Sequence, residues 1–397
     1  MKTIMILGAS ILQIPAIEKA LDMGLRVVVV DMNPDAIGMK LKGVIPEVIS
    51  TIDIHAIVES AKKHDIDGIM TLASDMPMRA VAAVAKEMCL KGITDDTALK
   101  ATNKVEMRKA LKKHCVPIPE FYKVTNEKEY MDAIKRLNCP IIVKPSDNSG
   151  SRGIFKLEDY GDPELLKEAF LHSKKYSRNG DIVVEEYMEG PEVSVETLSL
   201  NGVCHVIQIT DKITTGSPHF VEMGHTQPTR LDPHIAEKIE LLAKEANKAI
   251  GIVDGPSHTE IIVNNGEPKI VEIGARLGGD CITTHLVPLS TGVDMVECCI
   301  RIALGEKPNI VVKYSKGSAI RYFNQSAGIV KKITGLEIAK KIPGIKQINI
   351  IHGVGEKVTD IDSSTARMGF VISQGDDADN AEKICQEAID SIEISIL

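Results

Sequence analysis

Tryptophan is absent from this 397-residue sequence, and Phe and Tyr together make up only 3% of it. So few aromatics leave no stacking platform for single-stranded nucleic acid and no aromatic anchor for a large interface. Basic residues do not predominate: 47 Lys and Arg stand against 55 Asp and Glu, and the net charge is −8. That balance argues against a general nucleic-acid binder. No apolar run approaches the roughly 18 residues of a spanning helix, so no membrane segment is expected. The opening MKTIMILGAS is too short for a secretory signal and reads as a strand followed by a turn into a helix. The eight cysteines (89, 115, 139, 204, 281, 298, 299 and 385) include no C-x-x-C pair and no metal-ligand spacing. They are expected as reduced thiols of a cytoplasmic protein, not as staples or zinc ligands. Repeats, low-complexity segments, a Walker A loop and a G-x-G-x-x-G loop are also missing.

What is present is an ordinary globular composition, 44% hydrophobic and 26% charged, in a chain long enough for two to three domains. Over the first 96 residues, strands at 3–7, 26–31 and 68–72 alternate with helices at 15–23, 55–64 and 78–88. Val/Ile-rich strands separated by helices imply a doubly wound parallel sheet covered on both faces. Gly8 after the first strand and Asp31 at the end of the second invite a dinucleotide reading, but the loop Gly8–Gln13 lacks the other glycines. A domain using that loop for another ligand, or for none, fits better. From about 97 the pattern changes. A helix is expected over 102–114, a breaker-rich connection over 115–119, strands at 141–144, 154–156 and 182–186, and helices at 163–175 and 235–250. The last 85 or so residues read as a smaller α+β unit with a strand at 367–372 and a helix at 380–392.

The most informative segment runs from His258 to Arg276. Two β-branched runs flank Asn264-Asn265-Gly266, which is a hairpin signal. With the turn at Gly266, Glu260 faces Glu272 and Ile262 faces Ile270, while Ile261, Val263, Val271 and Ile273 form an apolar opposite face. Carboxylates directly opposite on one sheet face repel each other. A divalent cation between them reverses the sign, and oxygen ligands suit Mg²⁺ with substrate phosphates completing its shell. Arg276 could clamp a phosphate or carboxylate. The alternative register turns both Glu side chains to solvent. Lys144 ends a strand before a loop holding Ser146, Ser149, Gly150, Ser151 and Gly153, whose N–H groups could cradle phosphates; an ordinary hairpin loop reads equally well. Glu185-Glu186-Tyr187-Met188 leads into a Gly190-Pro191-Glu192 turn. A segment leaving a sheet there could meet an adenine edge, and Glu192 could accept from ribose hydroxyls; a solvated turn is the plain alternative.

Taken in order, Lys104, the Ile-Val-Lys144-Pro strand, the Ser/Gly loop, Val184-Glu-Glu-Tyr-Met188, Gly-Pro-Glu192 and Glu260…Glu272-x-x-x-Arg276 resemble the ATP-grasp superfamily of carboxylate–amine ligases. The resemblance implies an α/β architecture in three parts: a pre-ATP-grasp domain at 1–96, an ATP-grasp domain at 97–310 with a lid at about 117–190, and a C-terminal α+β lobe at 311–397. It implies ATP and Mg²⁺, with Mn²⁺ able to substitute, small carboxylate and amine substrates, and a homodimer as the family habit. It places Lys104, Lys144, Ser151, Gly153, Glu185, Met188 and Glu192 at the nucleotide, and Glu260 and Glu272 at two metal ions. Lys144 and Arg276 would stabilise the transferring phosphoryl group. Members usually carry Asn two residues after the second metal Glu; Gly274 stands here. The run from Asp211 through Gly216, His219 and His225 to Pro228, with Gly274-Ala-Arg276-Leu-Gly278-Gly279-Asp280, is similar to the L-amino-acid ligase branch. That similarity implies substrate contacts at His219, His225, Arg276 and Gly279, and amide formation through an acyl phosphate. A purine-pathway ligase acting on a ribonucleotide is the second reading, with Ser10, Ser74, Asp75 and Arg79 as its phosphate candidates. A nucleotide-binding protein that has lost catalysis is the third, favoured only by Gly274.

Overall fold

The computed structural model describes every residue except 138, 139, 149, 151, 218 and 219, so Cys139 and Ser149 lie outside the described residues. Its first part alternates β1 (Thr3–Leu7), α1 (Ile14–Asp22), β2 (Arg26–Asp31), β3 (Val44–Val48), α2 (Ile54–His64), β4 (Gly68–Thr71) and α3 (Met78–Glu87). The strands form a parallel sheet in the order β3-β2-β1-β4. β1 and β4 are buried throughout, as continuous apolar strands between helices must be. The half-exposed β3 escapes the sequence pattern because Pro46 interrupts it, and its edge position tolerates a proline. The first loop is closed on itself. Asp31 Oδ2 accepts the Ala9 N–H at 2.8 Å, Gln13 Oε1 accepts the Ser10 N–H at 3.0 Å, and Gln13 Nε2 donates to the Leu72 carbonyl at 2.7 Å. The acid that a dinucleotide ribose would need is therefore spent within the loop.

The helix expected over 102–114 is α5 (Lys104–Lys113), and a further helix that the pattern did not announce, α4 (Asp95–Thr102), runs directly into it. Asn103 sits between them in an extended conformation, and its side chain accepts the Val105 and Glu106 N–H groups as the α5 cap. β5 (Phe121–Val124), α6 (Glu127–Arg136), β6 (Ile141–Pro145), β7 (Phe155–Leu157), α7 (Pro163–Tyr176) and β8 (Ile182–Glu186) follow. Their strands pair antiparallel in the order β5-β8-β6-β7. One face packs Ile141, Val143, Ile182 and Val184 on Tyr130 and Phe170. Alternation puts Lys144 and Glu185 on the other face.

Next come β9 (Glu192–Leu200), β10 (Val203–Thr214), β11 (Glu222–Gln227), α8 (Pro233–Ile250), β12 (Gly255–Asn264), β13 (Glu267–Gly274), α9 (Val287–Thr291), α10 (Met295–Ala303) and β14 (Gly317–Tyr322). The chain ends with β15 (Gly328–Thr334), α11 (Leu336–Ala339), β16 (Ile345–Ile350), β17 (Lys357–Val358), β18 (Gly369–Gly375), α12 (Ala378–Asp390) and β19 (Glu393–Ile396). An eight-stranded antiparallel sheet runs β13-β12-β9-β10-β11-β14-β18-β16, so strands from the last quarter of the chain continue the sheet that holds the carboxylate hairpin. α8 buries Ile239, Leu242, Ala243, Ala246 and Ile250 from one face, the helical spacing its sequence displays. An isolated parallel bridge, Leu72 to Leu277, ties the end of β4 to the segment after β13 and brings Asp75 over the hairpin.

Candidate active site

The hairpin turn is built from Asn265 at φ +51° and Gly266 at φ +80°, two left-handed residues that an Asn-Gly pair adopts readily. Glu260 lies opposite Glu272, as the spacing predicts. A bulge then intervenes: Ile261 pairs with Ile270, and Ile262 with Lys269. The expected Ile262–Ile270 pair is thus off by one residue, and Ile270 rather than Val271 joins Ile261, Val263 and Ile273 in the core. An extra residue in one strand resets its alternation, which leaves Val271 beside Glu272 on the wall of a cleft of about 430 Å³.

Both carboxylates hold a lysine. Lys104 Nζ lies 3.1 Å from the Glu272 carboxylate and donates to the Asn148 carbonyl at 2.6 Å. Lys212 Nζ lies 3.0 Å from Glu260 and 3.7 Å from Glu222, and also bonds Glu192. Burial alone would lower the Lys212 pKa, but the three surrounding carboxylates outweigh it and hold the ammonium well above its usual value. Burial would likewise raise the Glu260 pKa, yet Lys212 and His258 hold it well below the usual range. Glu192 moves the other way, pushed up by burial and by the neighbouring acids. Behind Glu260, His258 Nδ1 meets the buried Glu196 at 2.7 Å, and Nε2 lies 3.5 Å from Glu260. Gly278 passes so close that a Cβ there would stand 2.7 Å from His258 Nδ1. Lys212 and His258 were not legible as site residues, because each stands among other polar residues of its strand, Thr210 and Asp211 beside the one and Ser257, Thr259 and Glu260 beside the other.

Across the cleft the buried Lys144 pairs with Glu185, whose other oxygen accepts Arg108 Nε at 3.1 Å and Nη2 at 3.0 Å. Burial, reinforced by Arg108 and Lys104, draws the Lys144 ammonium below its ordinary value despite Glu185. Glu185 also has strand neighbours on both sides, Phe121 and Ile142. Its backbone is enclosed by the ladder and its carboxylate is engaged, so it stands here as the partner of Lys144 and not as an open hinge group. The chain leaves the sheet after Tyr187, whose N–H goes to Pro140, and Met188 follows as a buried residue.

Arg276 makes a two-point pair with Asp75, Nε to Oδ1 at 2.8 Å and Nη2 to Oδ2 at 3.2 Å. This pair accounts for Gly274: a Cβ there would lie 2.8 Å from Asp75 Oδ1 and 3.3 Å from Arg276 Nε. The space of the usual Asn is filled by a carboxylate from the N-terminal sheet. At the far end, Asp280 accepts both Arg367 Nη atoms, at 2.7 and 2.8 Å, and His225 Nε2 lies 3.4 Å away. Against burial, Arg367 and His225 hold the Asp280 carboxyl well below the usual range.

The cleft thus brings together Lys104, Lys144, Glu260, Glu272, Arg276, His225 and Gly279. Glu185 and Glu192 back its lysines, whereas Gly153 is packed against Tyr176 and Pro145, and neither it nor Met188 is part of the cleft lining. Ser151 and His219 lie outside the described residues. The ribonucleotide candidates scatter: Ser10 bonds Gln13, Asp75 bonds Arg276, and Arg79 turns to Thr102 on a different surface. Among the described residues no group of three or more His, Cys, Asp and Glu side chains forms a metal cage. The two hairpin carboxylates still fit a hard cation that takes its remaining ligands from phosphate oxygens.

A family description reading ATP-grasp domain matches residues 137–284, and one reading L-amino acid ligase C-terminal domain 2 matches residues 321–396. An L-arginine-specific L-amino acid ligase of Bacillus subtilis is 30% identical over 290 residues, covering 70% of this chain and 68% of that protein. The crystal structure of an L-amino acid ligase from Bacillus licheniformis aligns over 100% of this chain and 99% of its own, with a TM-score of 0.86 and 25% identity. Phosphoribosylglycinamide synthetase from Anaerococcus prevotii, at 22% identity and a TM-score of 0.80 over 100% of both chains, shares the fold. From the coverage and identity of the arginine-specific relative it follows that this chain belongs to the L-amino acid ligase family of ATP-grasp enzymes and is an ATP-dependent carbon–nitrogen ligase.

Proposed function

We propose that the cleft takes ATP and two amino acids and joins them through an amide bond. A carboxylate oxygen of the first amino acid attacks the γ-phosphorus, and ADP leaves. The amine of the second then attacks the acyl carbon of the resulting acyl phosphate; phosphate leaves and the nitrogen loses a proton. The observation that carries this reading is Glu260 opposite Glu272 on a wall shared with Lys104 and Lys144. In-line phosphoryl transfer needs little more than position and charge, which such a set supplies.

In this reading Glu260 and Glu272 hold Mg²⁺, which when bound neutralises phosphate charge; Mn²⁺, taking similar oxygen ligands, is expected to replace it. Lys104 and Lys144 contact the phosphates, and Arg276, aimed by Asp75, steadies the transferring group. Met188 and the backbone after β8 receive the adenine, and Glu192 the ribose. His225, Gly279 and Arg276 face the amino-acid substrates, and the reading also keeps a substrate role for His219 and a phosphate role for Ser151, which lie outside the described residues. The division at 96 and 310, the lid over 117–190, a cytoplasmic location and a homodimer belong to the same proposal. Among the described residues, no helix is long and apolar enough to cross a membrane.

Lost catalysis has little support, because Gly274 is explained by the Asp75–Arg276 pair and every charged member of the set is present. A ribonucleotide ligase lacks a convergent phosphate clamp. The test is release of ADP and phosphate from ATP and Mg²⁺ with all pairs of the twenty amino acids. Pair-dependent release with a matching dipeptide mass is expected. Release that depends on a ribonucleotide instead would overturn the reading.

A further inference from the structure

Arg79 is a half-buried cation that the catalytic cleft does not use. It lines a separate depression of about 350 Å³ where α3, the α4–α5 junction and the loop after α7 meet. Its Nε donates to Thr102 Oγ1 at 2.6 Å, and its remaining N–H groups make no further hydrogen bond among the described residues. Burial draws the guanidinium below its ordinary value, and the nearby Asp147 offsets this only in part. The exposed Arg178 stands at the same depression, and among the described residues it bonds only through its backbone N–H, to Asp147 Oδ1 at 3.0 Å.

Asp147 is the lining carboxylate, and it is spent elsewhere. It accepts Ser177 Oγ at 3.1 Å and the backbone N–H groups of Arg178 and Asn179. Among the described residues neither guanidinium makes an ion pair within 4 Å, although the Asp147 charge still acts on Arg79 from a distance. The same depression is lined by apolar side chains, the exposed Ile52 and Ile54 and the partly buried Met76. Concavities of this size lined by two cations and by apolar side chains suit a small anionic ligand.

We propose that this depression is a second ligand site, distinct from the catalytic cleft, that takes the phosphoryl group of a small phosphate monoester between Arg79 and Arg178 with its organic part against Ile52, Ile54 and Met76. A guanidinium fork matches phosphate oxygens in two-point fashion. A ligand there would also link the N-terminal sheet domain to the segment beside the phosphate loop, where Ser146 accepts the Lys104 N–H at 2.7 Å.

Phenyl phosphate serves as the probe, titrated calorimetrically into the full chain with a non-hydrolysable ATP analogue and Mg²⁺ filling the cleft. Millimolar or tighter binding is expected, weakened about tenfold or more in Arg79→Gln and in Arg178→Gln, with dipeptide turnover unchanged in both. Arg178 is exposed, so its variant keeps the test decisive if Arg79→Gln folds poorly. Binding that both variants retain, or none up to about 10 mM, would sink the proposal. Benzoate binding as tight as phenyl phosphate would overturn the phosphoryl assignment.

Discussion

The two sides of the cleft carry buried ion clusters of opposite stoichiometry. On the lid side one acid, Glu185, faces two bases, Lys144 and Arg108. On the hairpin side Lys212 faces three acids, Glu192, Glu222 and Glu260, and His258 reaches only the last of them. Neither cluster is neutral, and a buried uncompensated charge is expensive. The base-rich cluster has an unmet need for an anion, and the acid-rich cluster for a cation. On the function proposed above, a magnesium–phosphate ligand would answer both at once, with its phosphates on the lid side and its metal on the hairpin. This accounts for the opposite pKa displacements of the two lysines: Lys144 is drawn down, while Lys212 is held up.

That comparison can be broken at its most buried point. Glu185→Gln removes the single acid from the base-rich cluster and leaves two cations without a partner. Unfolding titrations should show a loss of about 3–5 kcal/mol. A loss under about 1 kcal/mol would mean that the cluster is not a charge-compensated unit.

At the hairpin, Glu272→Gln should lower dipeptide formation by about 10²–10³-fold, the cost of one preorganised electrostatic contact, while the melting temperature stays near that of the parent. Near-normal turnover would remove Glu272 from the metal role. Lys212→Met sharpens the contrast. It leaves three acids with only His258, at Glu260, to offset them, so about 10 mM Mg²⁺ should stabilise the variant by about 1–2 kcal/mol more than the parent. Equal Mg²⁺ responses would show that the acid excess does not select a cation.

A smaller effect is expected with pH at Asp280. Its folded-state pKa is depressed, so its contribution is present above the ordinary value near 3.8 and is lost as pH falls below it. Asp280→Asn should therefore be less stable than the parent by about 1–2 kcal/mol at neutral pH, with the gap closing in acid. A gap that is flat from pH 7 to about 3 would contradict the assigned pairing with Arg367.

Much of the fold can be read from local sequence. The buried strands β1, β2 and β4 are short apolar runs, and α8 repeats its apolar residues at helical spacing. The Glu260–Glu272 pairing follows from a two-residue Asn-Gly turn that sets the register. The bulge beside it does not, because an extra residue in a ladder leaves the composition of the strand unchanged. β3 is missed because a proline interrupts it, and α4 because its short Asp- and Thr-rich run shows little apolar periodicity. Lys212 hides in β10 as one charged residue among several, and Arg108 in α5 resembles any surface arginine until Glu185 is found beside it.

By itself, then, the sequence determined the strongly patterned strands and helices, that two carboxylates share one hairpin face, and that lysines, glycines and an arginine follow in a family's order. These are consequences of local periodicity, turn chemistry and spacing. Tertiary structure alone decided which charge meets which. The Asp75–Arg276 pair joins residues 201 positions apart, and Lys104 reaches Glu272 across 168. Such partners are chosen by the packing of separate sheets around one cleft, and burial there turns each lone charge into a demand for a counter-charge.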